Sequence, residues 1–105
     1  PDMAARTCCE FKKGGYEFGI VCCGTGIGIS MAANKISGIR CALVHDLFTA
    51  EMAKAHNNAN FLAFGGRVEY SVPVERMIDT FIDARFGGTE RHERRVKKIM
   101  DLEGC

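Results

Sequence analysis

The chain has 105 residues, 47% of them hydrophobic and 26% charged, with a formal net charge of +1. A chain of this length is one domain, able to bury roughly 65% of its unfolded surface without staples. The near-neutral balance gives no argument for nucleic acid or a membrane surface, no apolar run approaches the roughly twenty residues of a spanning helix, and no signal peptide is visible.

Asp2 to Lys13 places Met3, Thr7, Cys8 and Phe11 near helical spacing and stops at Gly14-Gly15, so a helix is expected there. Phe18 to Cys23 reads as a strand apolar enough to be covered on both faces. It runs straight into Gly24-Thr25-Gly26-Ile27-Gly28, and Gly28 to Ile36 reads as a short helix closed by Ser37-Gly38. A strand that ends in a glycine-rich turn and opens a helix aims backbone N–H groups at one point, which suits an anion. Cys23 sits at the last strand position, at the edge of that anion site. A base or nucleophile beside an oxyanion-stabilising loop suggests an enzyme.

Ile39 to His45 reads as a second buried strand. Asp46 or Thr49 then caps a helix that carries Phe48, Met52 and Ala53 and frays at His56-Asn57-Asn58. Phe61 to Phe64 is the third strand, ended by Gly65-Gly66. Pro73 lies near the first turn of an amphipathic helix with the stripe Val74, Met77, Ile78, Phe81 and Ile82. Phe86-Gly87-Gly88 breaks it, and Arg91 to Leu102 reads as a last, basic helix. Strands alternating with helices at short intervals mean an α/β fold with a parallel sheet. In such a sheet ligands bind beyond the carboxyl ends of the strands, where Cys23, His45-Asp46 and Gly65-Gly66-Arg67 all fall.

Each of these motifs has a plainer reading beside it. The Gly24-x-Gly26-x-Gly28 turn, with Asp46 about twenty residues on, partly fits a dinucleotide fingerprint. Its third glycine should fall at position 29, however, where the chain has Ile29, and the Lys-Ser/Thr of a P-loop is absent. A purely structural tight turn is the other alternative. His56-Asn57 either finishes a helix or supplies an imidazole for proton transfer with an amide beside it for a substrate oxygen. Arg91 and Arg95, four apart, share one helical face, with Arg94 and Lys98 on a neighbouring one. Such a run is either a solvated face or a clamp for a small phosphate ligand; no aromatic interleaves it, which disfavours single-stranded nucleic acid. The six cysteines contain two adjacent pairs and no Cys-x-x-Cys spacing, so neither a zinc site nor a disulfide framework fits. Cys8, Cys9, Cys22, Cys41 and Cys105 read as buried small hydrophobes in a reducing, cytosolic protein, whereas position sets Cys23 apart.

Taken together, Cys23 to Lys35, Gly38 to Asp46, His56-Asn57-x-Ala-Asn60, Gly65-Gly-Arg67 and Arg91-His-x-x-Arg-Val96 resemble the type B ribose-5-phosphate isomerase family, whose wider group acts on allose and galactose 6-phosphates. The resemblance runs from about Pro1 to Ile99. It implies a three-layer α/β/α, Rossmann-like domain over residues 1–105, forming a homodimer or a dimer of dimers with shared sites, in the cytoplasm and without metal or cofactor. It implies an enzyme of the pentose phosphate pathway that interconverts ribose and ribulose 5-phosphates through an enediolate. By matched position Cys23 is the base that moves a proton between carbons 2 and 1. The amides of Gly24, Gly26 and Gly28 stabilise the enediolate, Thr25 and His56 assist ring opening, and Asn57 binds a sugar oxygen. Arg67, Arg91 and Arg95 hold the phosphate, and the stretch with His56, Asn57 and Arg67 reaches the site from the partner subunit.

The family opens with a strand bearing an Asp-His pair, followed by a helix and a second strand, and Pro1 aligns well inside it. The resemblance therefore carries the expectation of a functional protein that reaches about forty residues upstream of Pro1, the size of a β-α-β unit. Alone, the 105-residue chain is expected to be poorly soluble and inactive, its sheet edge uncovered. Some relatives carry a Glu base where this chain has Ile29, which leaves Cys23 as the base here. A galactose- or allose-6-phosphate isomerase, and a non-catalytic phosphosugar or nucleotide binder, are the alternatives. Retention of Cys23 with His56-Asn57 favours the pentose enzyme over both.

Overall fold

A computed structural model describes residues 1–104, so the reading of Cys105 lies outside the described residues. The strands are β1 (Gly19–Cys23), β2 (Cys41–Leu43) and β3 (Phe61–Gly65); the helices are α1 (Asp2–Lys12), α2 (Ile27–Asn34), α3 (Leu47–Ala55), α4 (Val74–Asp83) and α5 (Glu90–Asp101), followed by a 3-10 turn over Leu102–Gly104. All three strands are parallel, in the order β1-β3-β2. In register, Cys23 stands beside Gly65 and Leu43 beside Ala63.

The central strand explains the layering. Every residue of β3 is buried, and the two-residue period of a strand sends its side chains alternately to opposite faces. Leu62 and Phe64 join Val44, Ala50, Ala53, Met77 and Phe81 under α3 and α4. Phe61 and Ala63 join Ala4, Cys8, Val21, Ala33 and Ile39 under α1 and α2. The result is the expected three-layer α/β/α arrangement. Phe81 is fully buried and packs edge-on to Phe18, with ring centroids 5.5 Å apart. Phe81→Ala is expected to cost about 3–5 kcal/mol, measured by denaturant unfolding, a large part of the ~5–15 kcal/mol that holds such a domain together.

Several expectations are corrected here. β1 is not covered on both faces: Val21 is buried, but Ile20 is 41% exposed and Cys22 is exposed, because β1 is an outer strand that the α3–α4 layer does not roof. Of the cysteines read as buried, Cys8 is, Cys41 is half-buried, and Cys9 and Cys22 face solvent. Ile82 is 44% exposed, so the α4 stripe rests on Met77 and Phe81, flanked by Val74 and Ile78. The second strand is cut to three residues, with Ile39 and Val44 buried just outside it. Asp46 and Thr49 cap α3 together: the Asp46 carboxylate accepts the Thr49 N–H at 2.7 Å and Thr49 Oγ1 accepts the Asp46 N–H at 3.2 Å, a reciprocal capping box.

Candidate active site

The Cys23–Gly28 turn is built by close approach of backbone to backbone. Gly26 has φ +83°, and a Cβ there would lie 2.7 Å from Leu43 Cδ1 and 2.9 Å from the Phe64 carbonyl carbon. Only glycine tolerates both the left-handed backbone and the contact. The Gly66 N–H donates to the Cys23 carbonyl at 2.7 Å and the Arg67 N–H to the Gly24 carbonyl at 2.9 Å. The turns after β1 and β3 are thereby joined, and the Arg67 side chain passes over Gly24, its Cδ 3.5 Å from the position a Cβ would take.

At the centre of this rim is the thiol. The Gly26 N–H donates to Cys23 Sγ at 3.2 Å. The Thr25 hydroxyl oxygen accepts the Ile27 N–H at 3.2 Å and so closes the start of α2. Hydrogen bonds hold the Cys23 thiol below the ordinary thiol range: first from the Ile29 N–H, then from the Thr25 and Gly26 N–H groups and the Thr25 hydroxyl, against an opposing desolvation. Donors at a helix N-terminus stabilise a thiolate over a thiol. Burial acts the other way on two other cysteines, raising Cys8 and pushing Cys41 up to about 12. Cys23 should therefore be alkylated by iodoacetamide at neutral pH ahead of Cys8 and Cys41. Gly26→Ala should slow that labelling, read by mass spectrometry, because the donor amide must move.

His56, Asn57, Arg91 and Arg95 are not on this rim. α3 starts at the Asp46 cap, where β2 ends, and returns to His56, where β3 begins. His56 and Asn57 therefore sit at the opposite end of the sheet, both exposed. The basic helix meets them there: the Gly87 N–H donates to the Ala55 carbonyl at 3.0 Å, and the His56 and His92 rings lie 4.3 Å apart at 30°. Burial, and then the neighbouring His56, Arg91 and Arg95, push His92 toward its neutral form. His92 stands in the Arg91-His-x-x-Arg-Val96 motif but was given no role, because nothing in its spacing marks a partner in another helix. Arg94 pairs with Glu90 at 3.6 Å and Lys97 with Asp101 at 2.9 Å, whereas Arg91 and Arg95 make no salt bridge among the described residues.

Two more corrections follow. Arg67 belongs with Cys23 on the same chain, not with His56, because its backbone is tied to Gly24. The Asp46 carboxylate is committed to its helix cap, which leaves the dinucleotide reading without its ribose-binding acid. The candidate groups fall into two clusters: a thiol, a fan of amides and one guanidinium at the carboxyl rim, and, at the other end, an imidazole, an amide and two guanidiniums without a salt bridge among the described residues.

A sequence profile for ribose/galactose isomerases matches residues 1–99. The galactose-6-phosphate isomerase subunit LacB of Clostridium acetobutylicum is 44% identical over 93 residues, covering 89% of this chain and 54% of that protein. Ribose-5-phosphate isomerase B of Escherichia coli is 37% identical over 103 residues, covering 98% of this chain and 68% of that protein. Among solved structures, ribose-5-phosphate isomerase B of Mycoplasma genitalium with bound ribulose-5-phosphate superposes with a TM-score of 0.89 at 39% identity, covering 99% of this chain and 68% of that one. The chain thus spans between about half and two thirds of the length of these relatives. It belongs to the ribose/galactose isomerase family.

Proposed function

We propose that this member of the family serves an aldose–ketose isomerase that interconverts ribose 5-phosphate and ribulose 5-phosphate. The observation that carries the reading is the Cys23 thiol, lowered by backbone donors and set at the mouth of a glycine turn. Moving hydrogen between adjacent carbons of an opened sugar needs a base poised near neutrality, donors where charge develops on oxygen, and a remote anchor. Cys23 takes the proton from carbon 2 while the electron pair of the broken C–H bond passes into the enediolate; the hydroxyl proton on oxygen 2 moves to oxygen 1, and Cys23 returns its proton to carbon 1 as the carbonyl forms at carbon 2. The amides of Gly24, Gly26 and Gly28 receive the enediolate charge, and Thr25 and His56 assist ring opening, in which the ring oxygen gains one proton as the hydroxyl on carbon 1 loses one. Asn57 holds a sugar hydroxyl, and Arg67, Arg91 and Arg95 grip the phosphate, so that binding energy far from the reacting carbons orients them.

Because the two halves lie at opposite ends of one chain, the reading requires a homodimer, alone or as a dimer of dimers, in which a second copy brings His56, Asn57, Arg91 and Arg95 to Cys23. The five cysteines among the described residues are free of disulfides, which suits a cytoplasmic protein. The test is a coupled assay of the protein with ribose, allose and galactose phosphates. Turnover of the pentose phosphate above both hexose phosphates supports the reading; turnover of a hexose phosphate alone transfers it to the galactose or allose enzymes.

A further inference from the structure

Arg40 lies just before β2, at the end of the sheet away from Cys23, in the wall of a cleft of about 640 Å³ that Asn57 also lines. Its guanidinium is partly buried and makes no salt bridge among the described residues. It closes instead on a neutral group: Nε and Nη2 both donate to the Asn58 carbonyl, at 3.0 and 2.8 Å. Nη1 reaches Met100 Sδ of α5 at 3.4 Å. Partial burial opposes the charge and the nearby Glu103 carboxylate supports it, while the two nitrogens that converge on one carbonyl use the planar fork of the guanidinium, so the carbonyl it holds is informative.

Asn58 is the one non-glycine residue among those described with a positive φ, +45°. It follows His56-Asn57 directly in the turn after α3, its N–H donating to the Lys54 carbonyl at 3.0 Å. The same turn is tied a second time to Arg40. Asn60 Oδ1 accepts the Arg40 N–H at 2.8 Å, and the Asn60 N–H donates to the Arg40 carbonyl at 3.1 Å. His56 and Asn57 have exposed side chains, and besides Arg40 the segment that follows them is tied by the Gly19 N–H donating to the Asn60 carbonyl at 2.9 Å and by Asn60 Nδ2 donating to the Gly38 carbonyl at 2.8 Å. Arg40 thus links the sheet, the left-handed turn and α5, the three elements that must keep register for His56, Asn57, Arg91 and Arg95 to act together.

We propose that Arg40 is a positioning residue for the His56–Asn57 half-site, fixing the turn through the Asn58 carbonyl and the last turns of α5 through Met100. The inference rests on the isomerase reading above, and it concerns geometry rather than substrate contact. Displacing positioning groups by about 1 Å costs on the order of 10²-fold in rate.

The test compares wild type, Arg40→Met and Arg40→Lys in the functional protein. It reads kcat and KM on ribose 5-phosphate, the unfolding midpoint, and the His56 ring signals by NMR. The expected result is a kcat lowered on the order of 10²-fold in Arg40→Met, with KM changed far less, displaced His56 ring signals, and partial recovery of both in Arg40→Lys. A folded Arg40→Met protein with wild-type kcat and unmoved His56 signals overturns the inference. Should Arg40→Met not fold, Arg40→Lys decides on the same two readouts, since a single ammonium cannot reproduce the paired donation. Wild type inactive on every sugar phosphate would instead sink the isomerase reading, and the His56 signals alone would then judge the role of Arg40.

Discussion

Cys23→Ser is expected to lower kcat by about 10²–10⁴-fold, the range for removal of a positioned base, with little change in the unfolding midpoint. The hydroxyl fits the space of the thiol and keeps the Gly26 N–H partnered, so the fold is not at stake. What is lost is acidity: donors that hold a thiol below its ordinary range cannot make an alcohol ionise near neutrality. The pH dependence gives the same claim a sign. The thiolate is the base, so the rate falls as pH falls through the Cys23 pKa, and the lowered value places that limb below the ordinary thiol range. The limb should be missing from Cys23→Ser. Cys22→Ser, one residue away but pointing from the outer face of β1 to solvent, should keep wild-type kcat. Equal rates in Cys23→Ser and wild type would remove Cys23 from the chemistry.

The second large effect follows from the separation of the half-sites. Cys23→Ala and His56→Ala are each expected to be nearly inactive, and so is the double replacement of Arg91 and Arg95, through loss of the phosphate anchor. Mixing the Cys23→Ala and His56→Ala proteins under conditions of subunit exchange should recover activity. Half of the randomly formed dimers are hybrids, each with one intact site of two, so about a quarter of wild-type activity returns. A chain that carries both substitutions should contribute nothing to such a mixture. No recovery with proven exchange would mean that one copy holds a whole site.

The fold was legible because β3 and α4 carry their periods openly. Phe61-Leu-Ala-Phe is apolar at every position, as a strand buried on both faces requires, and Met77 and Phe81 stand one helical turn apart. β1 reads the same way and is misjudged, because composition records what a strand could bury and not whether a helix lies over it. The Cys23 rim was legible too, since glycine spacing after a strand reports local backbone geometry. The resemblance implied that His56 reaches the site from a partner subunit, whereas spacing alone could not put Arg91 and Arg95 beside it, because that depends on α5 meeting the end of α3. Arg67 was placed beside Cys23 by its position at a strand end and with His56 by the resemblance; the pairing of β1 with β3, which puts its N–H on the Gly24 carbonyl, agrees with the strand-end reading. Arg40 and His92 stood inside quoted motifs but were given no role, as their partners are 18 and 36 residues away.

The most direct test of the central claim is a crystal structure of the functional protein with ribulose 5-phosphate bound. The expected result has carbons 1 and 2 of the open sugar against Cys23 Sγ, their oxygens facing the Gly24–Gly28 amides. The phosphate lies between Arg67 of that chain and Arg91 and Arg95 of a second copy. A phosphate seated in the Gly24–Gly28 turn itself, with the sugar carbons away from Cys23 and no second copy at the site, would contradict it.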